Sequence, residues 1–298
     1  MGKTIRRVAV VVNCKAGALF DCDNAEEKLR DAFTRAGLEP SFIADASSLP
    51  ERLAQAAKLG PDAVVVAGGD GTVACAASVL INSDTPLAIL PCGTMNLLAK
   101  DLALPIDDLP AAIALISAGQ LREVDVGEVN GSVFLCASML GLPARLGRTR
   151  EESRGSIWRT SARMARAVQR HLLRTHHLRA ILTADGSVIP ARAAALTITV
   201  NPIDHTSGRS FGRTKLSGGR FGIYILDSFG LRELLALGMR VTFGRRDTAV
   251  REYEAREVNI TGRSRAIWVM NDGELSLLTP PLRYRLQPRA LRVVVPAT

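Results

Sequence analysis

The residues best able to do chemistry begin with Gly68-Gly69-Asp70-Gly71-Thr72, three glycines in four positions around one acid. The run follows apolar Val64-Val65-Val66-Ala67, which reads as a buried parallel strand, and precedes Val73 to Leu80, which reads as a helix. Strand, glycine turn and helix start make a phosphate site. Glycine removes the Cβ where backbone must approach a ligand closely, and the free N–H groups and dipole of a new helix favour an anion. Asp70 adds a second requirement: a carboxylate beside bound phosphate is repelled unless a cation lies between them, so the acid points to a metal-nucleotide complex. An ordinary αβ connection with Thr72 as N-cap would have the same outline, so the loop needs support from the rest of the chain.

Support comes from two further turns. Leu87 to Leu90 is another short buried strand, and Pro91-Cys92-Gly93-Thr94-Met95-Asn96 after it repeats the strand, glycine and helix-start pattern. Val8 to Val12 is a third such strand, ending in Asn13-Cys14-Lys15-Ala16-Gly17. Open αβ sheets bind ligands at the carboxyl ends of their strands, so these turns can converge on one ligand. Much later, Trp268-Val269-Met270 leads into Asn271-Asp272-Gly273-Glu274, where two carboxylates flank a glycine. By itself that stretch reads as a tight Asp-Gly hairpin.

These motifs resemble a family. Gly68-Gly69-Asp70-Gly71-Thr72 is similar to the nucleotide loop of the diacylglycerol kinase catalytic-domain family, soluble lipid kinases that include sphingosine kinases and bacterial relatives. NAD kinases share those five residues, as do phosphofructokinases more distantly. Pro91 to Ala99 resembles the lipid-kinase motif Pro-x-Gly-Thr-x-Asn-Asp-x-Ala, which separates the chain from NAD kinases. Asn13 to Gly17 resembles the family's first loop, Asn-Pro-x-x-Gly, with Cys14 in place of proline. Asp272-Gly273-Glu274 resembles the family's Asp-Gly-Glu, and Asp125 resembles an acid placed near the active site, although a strand-end turn residue would look the same.

The resemblance implies transfer of the γ-phosphoryl group of ATP, carried with Mg2+, to a lipid hydroxyl in a cleft between two domains. Asn13, Lys15, Gly17, Gly68, Gly69, Asp70, Gly71, Thr72, Gly93, Thr94 and Asn96 would hold the nucleotide. Asp70 and Asp125 would stand on the metal side, and Glu274 or Asp272 would take the proton of the acceptor hydroxyl. Four positions depart from the pattern: Ala74 and Cys75 replace Asn-Glu, Leu97 replaces an acid, and Gly218 replaces an aspartate that helps hold a structural metal. Two other readings stay open, an NAD kinase and a catalytically weak, membrane-associated nucleotide-binding protein.

The elements that must position these groups fall into two parts. Residues 1–128 read as an α/β domain with a parallel sheet, of the NAD kinase and diacylglycerol kinase type, with helices over Asn24 to Ala36, from Ser48 to about Lys58, and over Leu109 to Ala118. Residues 129–298 read as an antiparallel β-sandwich, with strands at Val133 to Cys136, Leu178 to Thr183, Ala193 to Val200, Arg220 to Leu226, Glu257 to Thr261, Ala266 to Met270 and Leu291 to Val295. The last segment is free to return to the first domain. Ile157 to Arg174 has helical spacing, with Arg159, Arg163, Arg166, Arg170 and Arg174 on one side, either a solvated face or a face for anionic lipid headgroups.

Composition narrows the partners. In 298 residues, 38 Lys+Arg against 29 Asp+Glu give a net charge of +9, which favours an anionic surface or ligand. No aromatics interleave the arginine stripe, so nucleic acid is not the expected partner. The five cysteines lack Cys-x-x-Cys spacing, which argues for a reducing compartment and against a zinc site. No apolar run approaches the roughly 20 residues of a membrane span, and no signal peptide is evident, so the expected location is the cytoplasm, with peripheral contact at the inner membrane surface.

Overall fold

The structure, a computed structural model, describes residues 5–13, 25–141, 143–144, 178–204, 212–227, 250–262 and 264–297. The chain divides into two compact units, Met1–Val126 with Pro288–Thr298, and Gly127–Gln287. An α/β fold with a mostly parallel sheet forms the first unit, and antiparallel β-sheets form the second.

In the first unit, β1 (Arg7–Val12), β2 (Glu39–Phe42), β3 (Ala63–Gly68) and β4 (Leu87–Pro91) pair in parallel in the order β2-β1-β3-β4. β3 and β4 are buried at every position. Helices cover such a sheet, so its central strands are written as continuous apolar runs. Helices α1 (Ala25–Arg35) and α5 (Leu109–Ala118) bury Leu29, Phe33, Ile113 and Ile116 with Val65, Ala88 and Leu90. Helix α2 (Leu49–Lys58) starts where the sequence places it, since the Ser48 N–H and hydroxyl both donate to Glu51 Oε2, at 3.0 and 2.8 Å. Asp108 Oδ1 accepts the Ala111 N–H at 2.9 Å and starts α5.

Two long strands belong to both units, β5 (Gln120–Val129) and β16 (Leu282–Val295). The sequence suggests only Leu291 to Val295 as the last strand; the structure starts it at Leu282, because Leu282 and Tyr284 alternate with exposed arginines on a half-buried strand. Its end completes the first unit, with Val293 paired in parallel to Leu87 and Val294 in that unit's core.

The second unit packs two sheets face to face. One is six-stranded, in the order β12 (Val250–Ala255), β11 (Phe221–Leu226), β10 (Ala195–Val200), β7 (Ala137–Gly141), β14 (Ile267–Asn271), β15 (Glu274–Leu278). The other runs from residues 282–287 of β16 through β13 (Glu257–Gly262) and β8 (Leu178–Ala184) to β9 (Ser187–Ala193), with β6 (Ser132–Phe134) paired to β5. One core joins both, with Leu140, Ile198, Phe221 and Val269 from the first sheet against Leu182, Val258, Ile260 and Tyr284 from the second. The Phe134, Phe221 and Tyr284 rings lie 6.0 to 6.3 Å apart, and the Tyr284 hydroxyl meets Ser138 Oγ at 2.9 Å. β7, β9, β12 and β15 are absent from the sequence reading: β7 and β15 are only five residues long, β9 contains Pro190, and the adjacent charges Arg251 and Glu252 interrupt the period of two in β12. The arginine stripe from Ile157 to Arg174 lies outside the described residues, as do Lys15 and Gly17.

Candidate functional site

The glycine run is tighter than its sequence suggests. β3 ends at Gly68 and α3 (Asp70–Leu80) starts two residues later, so the helix begins inside the motif and not at Val73. Gly69 is the N-cap, at φ −92° and ψ −173°, and its carbonyl accepts the N–H groups of Thr72 at 2.9 Å and Val73 at 3.1 Å. An acid in the first turn complements the helix dipole, which explains why Asp70 opens the helix where a neutral loop residue would not favour it.

Gly69 and Gly93 let loop approach loop, and Gly68 makes room for Thr72 within its own turn. A Cβ at Gly93 would stand 2.5 Å from the Gly69 Cα and 2.9 Å from Asn96 Oδ1, and a Cβ at Gly68 would stand 2.5 Å from Thr72 Oγ1. Asn96 locks the second loop around Gly93. Its Oδ1 accepts the Gly93 N–H at 2.9 Å and its Nδ2 donates to the Gly93 carbonyl at 2.8 Å, from a left-handed backbone at φ 47° and ψ 49° that asparagine tolerates. Asn13 joins the first strand to the same assembly, with Nδ2 donating to Thr72 Oγ1 at 2.8 Å and its main-chain N–H to the Ala67 carbonyl at 2.9 Å.

Asp70 ties the two loops together, accepting on Oδ1 at 2.6 Å the N–H of Leu97, the first residue of the short helix α4 (Leu97–Asp101). Burial raises its pKa above the usual carboxylate range, against the pull of main-chain N–H groups and the Lys100 charge. Gly69, Asp70 and Gly71 are half-buried, and Thr94 is exposed at the rim. No group of three or more His, Cys, Asp or Glu side chains comes together among the described residues. At the glycine loops Asp70 offers one carboxylate, a donor that would fit a divalent cation whose other positions are filled by water and phosphate oxygens. Asp125 is a buried residue of β5, and its Oδ1 accepts the Arg289 N–H at 2.8 Å, where β16 takes a positive φ of 51°.

In the second unit, Asp272 and Gly273 form the two-residue turn between β14 and β15, with φ values of 47° and 93°. This is the hairpin geometry favoured for an Asp-Gly pair. Asp272 turns inward: Oδ2 accepts the Leu135 N–H at 2.6 Å, and Oδ1 accepts those of Cys136 at 2.9 Å and Ala137 at 2.8 Å. Burial raises its pKa, opposed by those three N–H groups and by Arg213. Glu274, two residues on, is exposed. Arg213 escapes the sequence reading altogether, since a lone buried arginine has no spacing signal. Its Nη1 donates to the Leu135 and Val200 carbonyls at 2.8 and 2.6 Å, and its Nη2 to Cys136 Sγ at 3.1 Å. At Gly218, where the resembled family has an acid, the main-chain N–H donates to Asn201 Oδ1 at 2.7 Å, and a Cβ would crowd the same oxygen.

No helix among the described residues is long and apolar enough to cross a membrane. Residues 7–129 match the family model for the diacylglycerol kinase catalytic domain. The chain is 40% identical over 85 residues to a diacylglycerol kinase of Mycobacterium tuberculosis, 28% of the length of each. It is 30% identical over 139 residues to a diacylglycerol kinase of Bacillus subtilis, 44% of each. These matches thus span less than half of either relative. The fold follows that of a diacylglycerol kinase from Bacillus anthracis str. Sterne over 98% of both chains, at a TM-score of 0.70 and 20% identity, a likeness of fold. Through residues 7–129, the chain is similar to the catalytic domain of diacylglycerol kinases.

Proposed function

We propose that the chain is an ATP-dependent lipid kinase that phosphorylates a hydroxyl of a diacylglycerol-like or sphingoid-like acceptor. The observation that carries this reading is the hydrogen-bonded assembly of Asn13, Gly68 to Thr72 and Gly93 to Asn96, built at the carboxyl ends of three parallel strands. Its half-buried glycine main chain and the start of an eleven-residue helix suit a polyphosphate. Lys15 and Gly17 belong to the same reading by their place after β1.

Magnesium-bound ATP supplies the phosphoryl group and the cation that balances its charge. Asp70 contributes its carboxylate on the metal side while Leu97 holds it in place. Asp125, buried and bonded to the Arg289 main chain, is assigned to holding β16. Glu274 accepts the proton of the lipid hydroxyl as that oxygen attacks the γ-phosphorus, the bond from the γ-phosphorus to the β–γ bridging oxygen breaks, and ADP departs. Asp272 keeps the turn that carries Glu274 fixed, since both of its own oxygens already accept main-chain N–H groups.

Labelled γ-phosphate supplied as ATP to detergent-solubilised membrane lipids tests this, comparing the intact chain with Asp70→Ala and Glu274→Ala. Labelled lipid made by the intact chain and lost in both variants is the expected result. Equal labelling by all three would reject the roles, formation of NADP from added NAD would replace the acceptor, and nucleotide binding with no transfer would leave a binding protein.

A further inference from the structure

The four-stranded sheet of the second unit turns towards solvent a face that the kinase reading does not use. In the β8–β9 hairpin, Ala180, Leu182, Ala184, Ala191 and Ala193 are buried. The alternate positions pair Arg179 with Arg192, Ile181 with Pro190 and Thr183 with Val188. Ile181 is 53% exposed and Val188 65%. Across β13, Asn259 pairs with Arg283 and Glu257 with Arg285, so two more exposed arginines stand on the same face. The face has an aliphatic middle with arginines at both ends.

Two features show charge that the fold leaves unbalanced. Like charges directly opposite each other destabilise a sheet, and Arg179 faces Arg192 across the ladder. Among the described residues, none of the four arginines has a carboxylate within 4.0 Å. The nearby acids are Glu257, Glu128 and Asp185. Glu128 accepts from Gln287 Nε2 at 3.0 Å, and Asp185 accepts the Arg256 and Glu257 N–H groups. Beside Arg283 and Arg285 lies an open groove of about 350 Å³, lined also by Glu128, Asn130 and Pro281. Asn130 is held there by donating to the Thr279 and Pro281 carbonyls.

We propose that this face docks on a bilayer containing anionic phospholipid, with Ile181 and Val188 entering the headgroup layer and the arginines meeting lipid phosphates. Charge complementarity and exposed aliphatic side chains together fit an interfacial surface, whereas a nucleic acid would call for stacking aromatics, and this face has none. Docking needs neither nucleotide nor catalysis, so it stands or falls apart from the kinase reading.

The test is vesicle flotation without nucleotide, using phosphatidylcholine alone and phosphatidylcholine mixed with phosphatidylglycerol. The intact chain floats with the anionic vesicles only, and less so as salt rises. Arg283→Glu with Arg285→Glu lowers the partition coefficient at least about tenfold, given the attraction of each arginine for an anionic leaflet. Ile181→Asp lowers it separately, and thermal melting confirms that each variant is folded. Unchanged flotation of the folded variants, equal binding to neutral vesicles, or binding to a single-stranded RNA in place of vesicles overturns the proposal. A kinase-inactive chain that floats leaves the surface standing, and an active kinase that fails to float removes the surface alone.

Discussion

The Asp70 carboxylate and the Leu97 main-chain N–H meet at 2.6 Å and join the first turns of two helices. One acid therefore serves as a strut between the glycine loops as well as the proposed contact to the metal. Leu97 stands where the resembled lipid-kinase motif has an acid, and here its N–H, not its side chain, makes the link.

Asp70→Asn separates these two roles. Burial raises the Asp70 pKa above its ordinary 3.8, so the ionised form is the costly one in the folded chain. Its contribution to stability is complete below about pH 4, near that ordinary value, and declines as pH rises through the folded pKa. At pH 7 the asparagine variant removes the buried charge and keeps an oxygen for Leu97. Its melting temperature should equal or exceed that of the intact chain at pH 7, with the advantage vanishing in acid. Phosphoryl transfer should fall by roughly 100-fold or more, as for the loss of a charge-stabilising group.

Gly93→Ala attacks the packing of the loops. The added Cβ would meet the Gly69 backbone at 2.5 Å, where no flexible side chain can yield. The loops must separate, at about 1 to 3 kcal/mol by analogy with overpacked cores. Urea denaturation should show that loss, and ATP binding should weaken in parallel. Gly69→Ala, whose Cβ would lie 3.3 Å from the Gly93 Cα, should be milder.

The acids of the late hairpin should respond in opposite ways. In Asp272→Asn the side-chain NH2 must face at least one of the three main-chain N–H groups now satisfied. An unsatisfied buried donor costs about 1 to 3 kcal/mol, and this should outweigh the relief of removing a buried charge. Glu274→Gln, at an exposed position, should change stability by less than about 0.5 kcal/mol and slow transfer by roughly 100-fold or more. Denaturation midpoints and labelled-lipid assays on the same preparations read both effects.

The second unit's core offers a further check. Tyr284→Phe leaves the Ser138 hydroxyl without its 2.9 Å partner inside the sandwich. A loss of about 1 kcal/mol is expected, with transfer unchanged.

Much of this fold is legible in the sequence because Val8 to Val12, Val64 to Ala67 and Leu87 to Leu90 are strands covered on both faces, and such strands leave no polar alternation to blur them. The glycine motifs are equally plain, but their work is not: the residues that seem made for a ligand also serve the contact of Gly69 with Gly93. The start of α3 is missed because Gly-Asp-Gly looks like a loop until Gly69 is recognised as its cap. Arg213 and the inward turn of Asp272 depend on segments far apart in the chain, which no local spacing encodes. The length of β16 is hidden by Pro288 and by arginines that break its apolar run.

That last strand has a consequence for biosynthesis. Val293, paired beside β4, is translated long after Leu87, so a ribosome has made the whole second unit before the nucleotide loops rest on a finished sheet. Until then the nascent chain carries a bare β4 edge, the kind of unpaired strand that invites wrong partners and chaperone attention.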